Sequence, residues 1–297
     1  MDFVTYEGWP NCIRLSNRVI ELIATTDVGP RIIHFGFAGG QNLFKVFNET
    51  RGLVDGEDWR NYGGHRLWHA PESIPRTYFP DNTPVQFEGE KNFLKLIQPV
   101  ETTTGIQKEI EIALHPEEPR VQVVHRLTNQ NLWPVELAPW ALSVMAAGGR
   151  CIVPQEPFRP HTEDLLPARP LVLWSYTDMA DPRWTWGTKY VQLRQDPFNN
   201  KPQKIGVRNT PGWAAYQLGE DLFIKTFPFD PSARYADFGC NNEIFTNEVI
   251  LEIESLGPLA SLPPGGSVVH VENWSLHKKA IDADEASIDA NLIPLIA

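Results

Sequence analysis

The stretch Ile106–Leu114, IQKEIEIAL, puts Ile106, Ile110, Ile112 and Leu114 on one side of an extended chain and Gln107, Glu109 and Glu111 on the other. A period of two marks a strand with one face in the core and the other in water. Working outward, short apolar or alternating runs recur at 19–24, 31–37, 93–97, 121–127, 190–194, 222–227, 249–254 and 268–274, separated by Pro, Gly, Asn and Asp. That is the pattern of an antiparallel all-β protein rather than of βαβ units, and nine such runs exceed one small sheet. A helical period emerges only at 280–292, where Ile281, Ile288 and Leu292 recur in an acidic segment. Pro294 and the apolar Leu295-Ile296 that follow fit either a tail docked on the body or a frayed terminus. Residues 154–170, PQEPFRPHTEDLLPARP, hold five prolines and no period. They read as a long rim loop, or as a linker between halves. Because strands continue on both sides, the expected organisation is one domain over 1–297, with a core at about 19–276 and a tail at 277–297.

Composition narrows the function. With 42% hydrophobic and 21% charged residues, the chain is globular. Its formal charge of −11 would repel a phosphate backbone, so no nucleic-acid partner is expected. No apolar run approaches the ~18 residues that span a bilayer, and the N-terminus has no basic flank followed by an apolar stretch. The expectation is therefore a cytoplasmic protein with no membrane partner. Cys12, Cys151 and Cys240 stand alone without CxxC spacing, which fits a reducing compartment. The absence of GxGxxG, GxxxxGK[ST] and GxSxG argues against nucleotide binding and the usual serine hydrolases, and no cofactor is expected.

Chemistry concentrates in two places. Residues 59–72, WRNYGGHRLWHAPE, bring together Trp59, Arg60, Tyr62, His65, Arg66, Trp68, His69 and Glu72. The Gly63-Gly64 pair suits a tight connection that presents side chains to a cleft. Indoles stack on the apolar faces of a sugar ring, and Arg, His and Glu reach its hydroxyls. His65 and His69 are spaced i, i+4, but HRLWH lacks the Glu of HExxH, so no metal is expected. The competing interpretation is that both histidines and Arg66 satisfy buried carbonyls. The second place is 247–258, NEVILEIESLGP, where Val249, Leu251 and Ile253 alternate with Glu252 and Glu254. Two carboxylates at i, i+2 on a strand stand about 6–7 Å apart, which overlaps the ~6.5–9.5 Å range of inverting glycosidases. A wet strand face explains them equally. Asp181 to Trp184 and the Lys204-Ile205-Gly206 turn offer cations, and residues 237–243, DFGCNNE, offer a polar turn.

The order of GGHRLWHAPE, DPRWTWGTKY, the Lys204 turn and EIESLGPLASLPPGGSVVHVENWSL resembles the galactose mutarotase-like superfamily. That superfamily includes aldose 1-epimerases and glucose-6-phosphate 1-epimerases; the likeness is to a branch defined by a domain of unknown function. The resemblance implies a β-supersandwich of large twisted antiparallel sheets with few short helices and a sugar-binding cleft on the concave face. It implies a glutamate that takes the anomeric proton and a histidine that protonates the ring oxygen. Ring opening, rotation about C1–C2 and reclosure then invert C1. The glutamate maps to Glu254, through its likeness to the short acidic motif that ends in a proline. The histidine position falls on Ala141, so His65 or His69 would supply the acid. Arg66, Trp68, Glu72, Trp140, Arg183, Lys204 and Glu252 would bind the substrate, a sugar or sugar derivative. Arg66, Arg183 and Lys204 would take a phosphate if they converge. Three readings follow: an aldose 1-epimerase-like enzyme, a sugar-binding module that has lost its acid, and a hydrolase or lyase using Glu252 and Glu254.

Overall fold

A computed structural model describes residues 1–296. Each of the nine apolar runs overlaps a strand, and the strands form two large antiparallel sheets. The first, of eleven strands, runs Asp2–Tyr6, Trp9–Ser16, Ile20–Thr25, Arg31–Phe37, Gly64–Ala70, Val135–Met145, Leu251–Leu256, Asn242–Thr246, Gln203–Val207 and Leu171–Leu173. Ala260–Leu262 adds to the start of Val135–Met145. The second, of ten strands, runs Trp184–Trp186, Tyr190–Arg194, Arg150–Pro154, Trp213–Leu218, Asp221–Thr226, Ser267–Lys278, Arg120–Asn129, Ile106–Leu114, Phe93–Ile97 and Gln86–Glu90.

The core lies between the sheets. Ile110, Ile112, Val123, Phe223 and Trp274 from the second sheet meet Ile32, Phe35, Leu67, Ile205 and Ile253 from the first. Trp274 packs its ring 5.4 Å from Phe35, 5.6 Å from Phe223 and 5.7 Å from Phe44. Such aromatic contacts add about 0.5–1.5 kcal/mol each beyond the area they bury. Strand Ile106–Leu114 alternates as its sequence predicts, except that Lys108 also occupies the buried face. Its ammonium lies 2.5 Å from the buried Glu101 carboxylate, which makes that position tolerable.

Three local expectations need correction. Strand Leu251–Leu256 is buried on both faces, so Glu252 and Glu254 are not on a wet surface. Lys204 to Gly206 is the middle of strand Gln203–Val207, not a turn. The stretch around Gly63-Gly64 enters a strand, Gly64–Ala70, rather than a free connection. Gly64 has φ +70°, and a Cβ there would stand 2.4 Å from the Ile32 carbonyl oxygen, so only glycine fits this close approach.

The tail docks. Its helix, Glu285–Asn291, is shorter than the periodic segment, with the Asp284 carboxylate accepting from the Ser287 N–H at its start. Ile281, Ile288 and Leu292 are buried against Tyr190, Trp213 and Ile224. Among the described residues, no helix is long and apolar enough to cross a membrane.

Candidate functional site

Pairing across the middle of the first sheet decides which side chains meet. Arg66 faces Leu142, Leu142 faces Glu254, and Glu254 faces Glu243. One step along, Trp68 faces Trp140, and Lys204 faces Phe245, which faces Glu252. Directly paired residues and their i±2 neighbours share a face. Arg66, Trp68, Trp140, Glu243, Glu252, Glu254 and Lys204 therefore lie on the face turned away from the second sheet.

Lys204 is the hub of that face. Its ammonium stands 2.8 Å from Glu243 Oε2 and 2.9 Å from Glu254 Oε2. It also sits over the Trp140 and Trp174 rings, at 4.9 and 4.8 Å from their centroids. The Trp140 indole N–H donates to the same Glu254 Oε2 at 2.8 Å. Glu254 is fully buried, and its other oxygen, Oε1, has no partner. Burial opposes charge on Lys204, yet Glu243 and Glu254 together hold its pKa well above the usual value. Burial pushes the Glu243 carboxyl well above the ordinary carboxylate range, against the pull of Lys204.

A second ion pair flanks the first. Arg66 Nη2 lies 3.3 Å from Glu252 Oε1, and the guanidinium stacks on Trp68 at 4.4 Å. Burial raises Glu252 despite Arg66. A cavity of about 360 Å³ opens over this face, lined by Glu72, Ser73, Ile74, Trp140, Trp174, Asp237 and Glu243. The Tyr78 hydroxyl donates to Glu72, and burial pushes Asp237 up. A volume of this size holds a small polar ligand between aromatic walls.

The structure divides the residues singled out by sequence. Glu254, Arg66, Trp68, Trp140, Lys204 and Glu252 come together on one face, with Glu72 at its cavity. His65 and His69 alternate with Arg66 and Trp68 and point to the opposite face, between the sheets. His65, fully buried, bonds Ser143 at 2.9 Å and His125 at 2.6 Å; burial holds its pKa well below the usual value. Around it Lys225 donates to Glu272 at 2.8 Å, and the Trp274 indole donates to Glu272 at 2.7 Å. His69 lies 3.4 Å from Glu101, on the same inner side. Neither histidine lines the cavity beside Trp140 and Glu243, and both point between the sheets, away from the face that carries Glu254. Ala141 also faces inward, opposite Leu67 and Ser255, so a histidine there would not reach Glu254. Arg183 is elsewhere, clamped by Asp181 through two 2.9 Å hydrogen bonds.

His65, His125 and Glu272 place ligating atoms within 4.8 Å of one another. The two imidazole nitrogens are only 2.6 Å apart, too close for both to bind a zinc at about 2.0–2.1 Å in tetrahedral geometry. The trio is a hydrogen-bond network with Lys225 and Ser143. Of the residues at this cavity, the sequence did not single out Trp174, and it offered Glu243 and Asp237 only as part of a polar turn. Glu243 and Asp237 stand at the two ends of the DFGCNNE stretch. Their signal was the alternation of Asn242–Thr246, which aims Glu243 at the Lys204 face.

No family model matches the chain, and no curated protein matches it significantly. Solved structures do. A protein from Synechocystis sp. PCC 6803 superposes with a TM-score of 0.60 at 11% identity, covering 94% of this chain and all of that one. A galactose mutarotase-like protein from Lactobacillus casei ATCC 334 gives 0.59 at 10% identity, over 90% of this chain and 100% of its own. The chain has the galactose mutarotase-like fold. An aldose 1-epimerase candidate from Escherichia coli K12 shares this fold at a TM-score of 0.54 and 14% identity, covering 90% of this chain and 99% of its own. At these identities the galactose mutarotase-like likeness is one of architecture.

Proposed function

We propose that the Lys204 face binds a monosaccharide and interconverts its anomers, with Glu254 as base and Glu243 as acid. The observation that carries this reading is the asymmetry of Glu254. Trp140 and Lys204 fix one oxygen while the other is buried and unpartnered, a free acceptor on the residue paired across the strands with Glu243, which lines the cavity. Beside it, burial pushes the Glu243 carboxyl upward against the pull of Lys204, which favours its holding a proton. Two carboxyl groups in unequal environments are the usual means of running acid and base chemistry side by side. Glu254 would take the proton of the anomeric hydroxyl as Glu243 protonates the ring oxygen. The ring C1–O bond breaks, C1 becomes an aldehyde and rotates about C1–C2, and reclosure returns both protons. Trp140 and Trp174 would stack on the ring, with Arg66 and Glu72 placed for its hydroxyls. The fold shared with mutarotase-like proteins supports the sugar class.

Proton NMR exchange between the α and β anomers of a panel of aldoses tests this reading. Wild type should accelerate exchange for one of them, and Glu254→Gln should lose about 10²–10⁴-fold of that rate while still binding. A sugar that binds wild type without faster exchange would refute turnover and leave a sugar-binding module.

A further inference from the structure

Charge around the cavity distinguishes among sugars. Three of its lining residues, Glu72, Asp237 and Glu243, carry carboxyl groups, and none of them is Lys or Arg. The cations nearby are already engaged. Lys204 lies within 2.9 Å of both Glu243 and Glu254, and Arg66 is 3.3 Å from Glu252. Arg183, the third cation that sequence offered for a phosphate, is spent on Asp181 in another part of the fold. A phosphorylated ligand would bring nearly two negative charges to a wall of carboxyl groups with no free partner. The opposite charge finds partners ready. Glu243 is 1% exposed with Oε1 unpartnered, and Glu254 Oε1 is likewise buried and free.

We infer that the sugar taken at this face is an amino sugar, whose protonated amine is held by Glu243 and Asp237. The inference rests on the proposal that this face binds a sugar and goes beyond it in naming the sugar's charge.

Isothermal titration calorimetry at neutral pH tests it on the whole chain, with glucosamine and galactosamine, their N-acetyl derivatives, the parent hexoses and the hexose 6-phosphates. One amino sugar should bind about tenfold or more tighter than its N-acetyl and parent forms, with the phosphates weakest of all. Glu243→Gln should erase that preference. Asp237→Asn, at a half-exposed turn whose replacement spares the core, should narrow it. Parent hexoses binding as tightly as amino sugars would overturn this inference and leave the sugar site standing, as would a preference for phosphates. No binding by any of these sugars would overturn both.

Discussion

Lys204→Met removes the charge that joins Glu243 to Glu254 while keeping an unbranched side chain between Trp140 and Trp174. The wild-type side chain is 7% exposed, and its ammonium sits 2.8 and 2.9 Å from the two carboxylates. Removing one partner of a buried ion pair costs about 3–5 kcal/mol, because the charge left behind has no compensation. Here the stranded groups can relieve themselves by binding a proton, which gives the loss a definite pH dependence. Burial and the loss of the ammonium both favour a protonated carboxyl in the folded variant, so the folded chain holds protons that the unfolded chain has released. The variant's deficit should then be small in acid and widen as pH rises, by about 1.4 kcal/mol per pH unit for each proton involved. Urea unfolding of both proteins at about pH 5 and about pH 8 reads this as a difference of differences, in which titrations common to both chains cancel. Adding Glu243→Gln should recover part of the loss at the higher pH. A deficit below about 1 kcal/mol that stays constant with pH would refute the reasoning, because it would behave like a solvated surface pair.

Three further outcomes are expected. Wild-type stability should fall on acidification, because burial holds His65, His125 and His270 below their usual pKa, His270 at about 3. The unfolded chain binds protons first, so this contribution is complete above about pH 6.5 and drains away below it, at up to about 1.4 kcal/mol per unit per histidine; a flat urea midpoint between neutral and about pH 5 would contradict it. Ala141→His should destabilise by about 1–3 kcal/mol through overpacking of the inner face and should leave anomer exchange no faster, and a gain in exchange would overturn the facing assigned to that strand. Ile288→Ala should cost about 2–5 kcal/mol if the C-terminal helix is part of the folded body, and a silent substitution in thermal unfolding would show that it is not.

Much of this was written in residue order. Strands announce themselves through period-two alternation, a local property, and Glu254, Arg66, Trp68, Trp140, Lys204 and Glu252 did come together. The facing of His65 and His69 was legible too, since one step along a strand turns a side chain to the opposite face. Reading Gly63-Gly64 as a tight connection that presents the following side chains to a cleft hid that consequence. Glu243 was harder to see. Its importance comes from lying opposite Glu254 and near Lys204 through pairings that no local pattern encodes. Lys108 and Glu101 illustrate the same limit, because a buried charge is recognisable only once its partner is in place.

Lys225 gives the inner network a reach that its burial conceals. Besides Glu272, its ammonium donates at 2.9 Å to the carbonyl of Ile253, the residue between Glu252 and Glu254. The backbone that bears both carboxylates is thus anchored from behind by a cation no ligand can touch. Changes at Lys225, Glu272 or Ser143 would move that anchor, shifting the aim of Glu254 without altering anything in the cavity. Selection could in this way retune the ligand preference of the outer face through the hidden layer, and sequence differences confined to that layer would carry functional meaning.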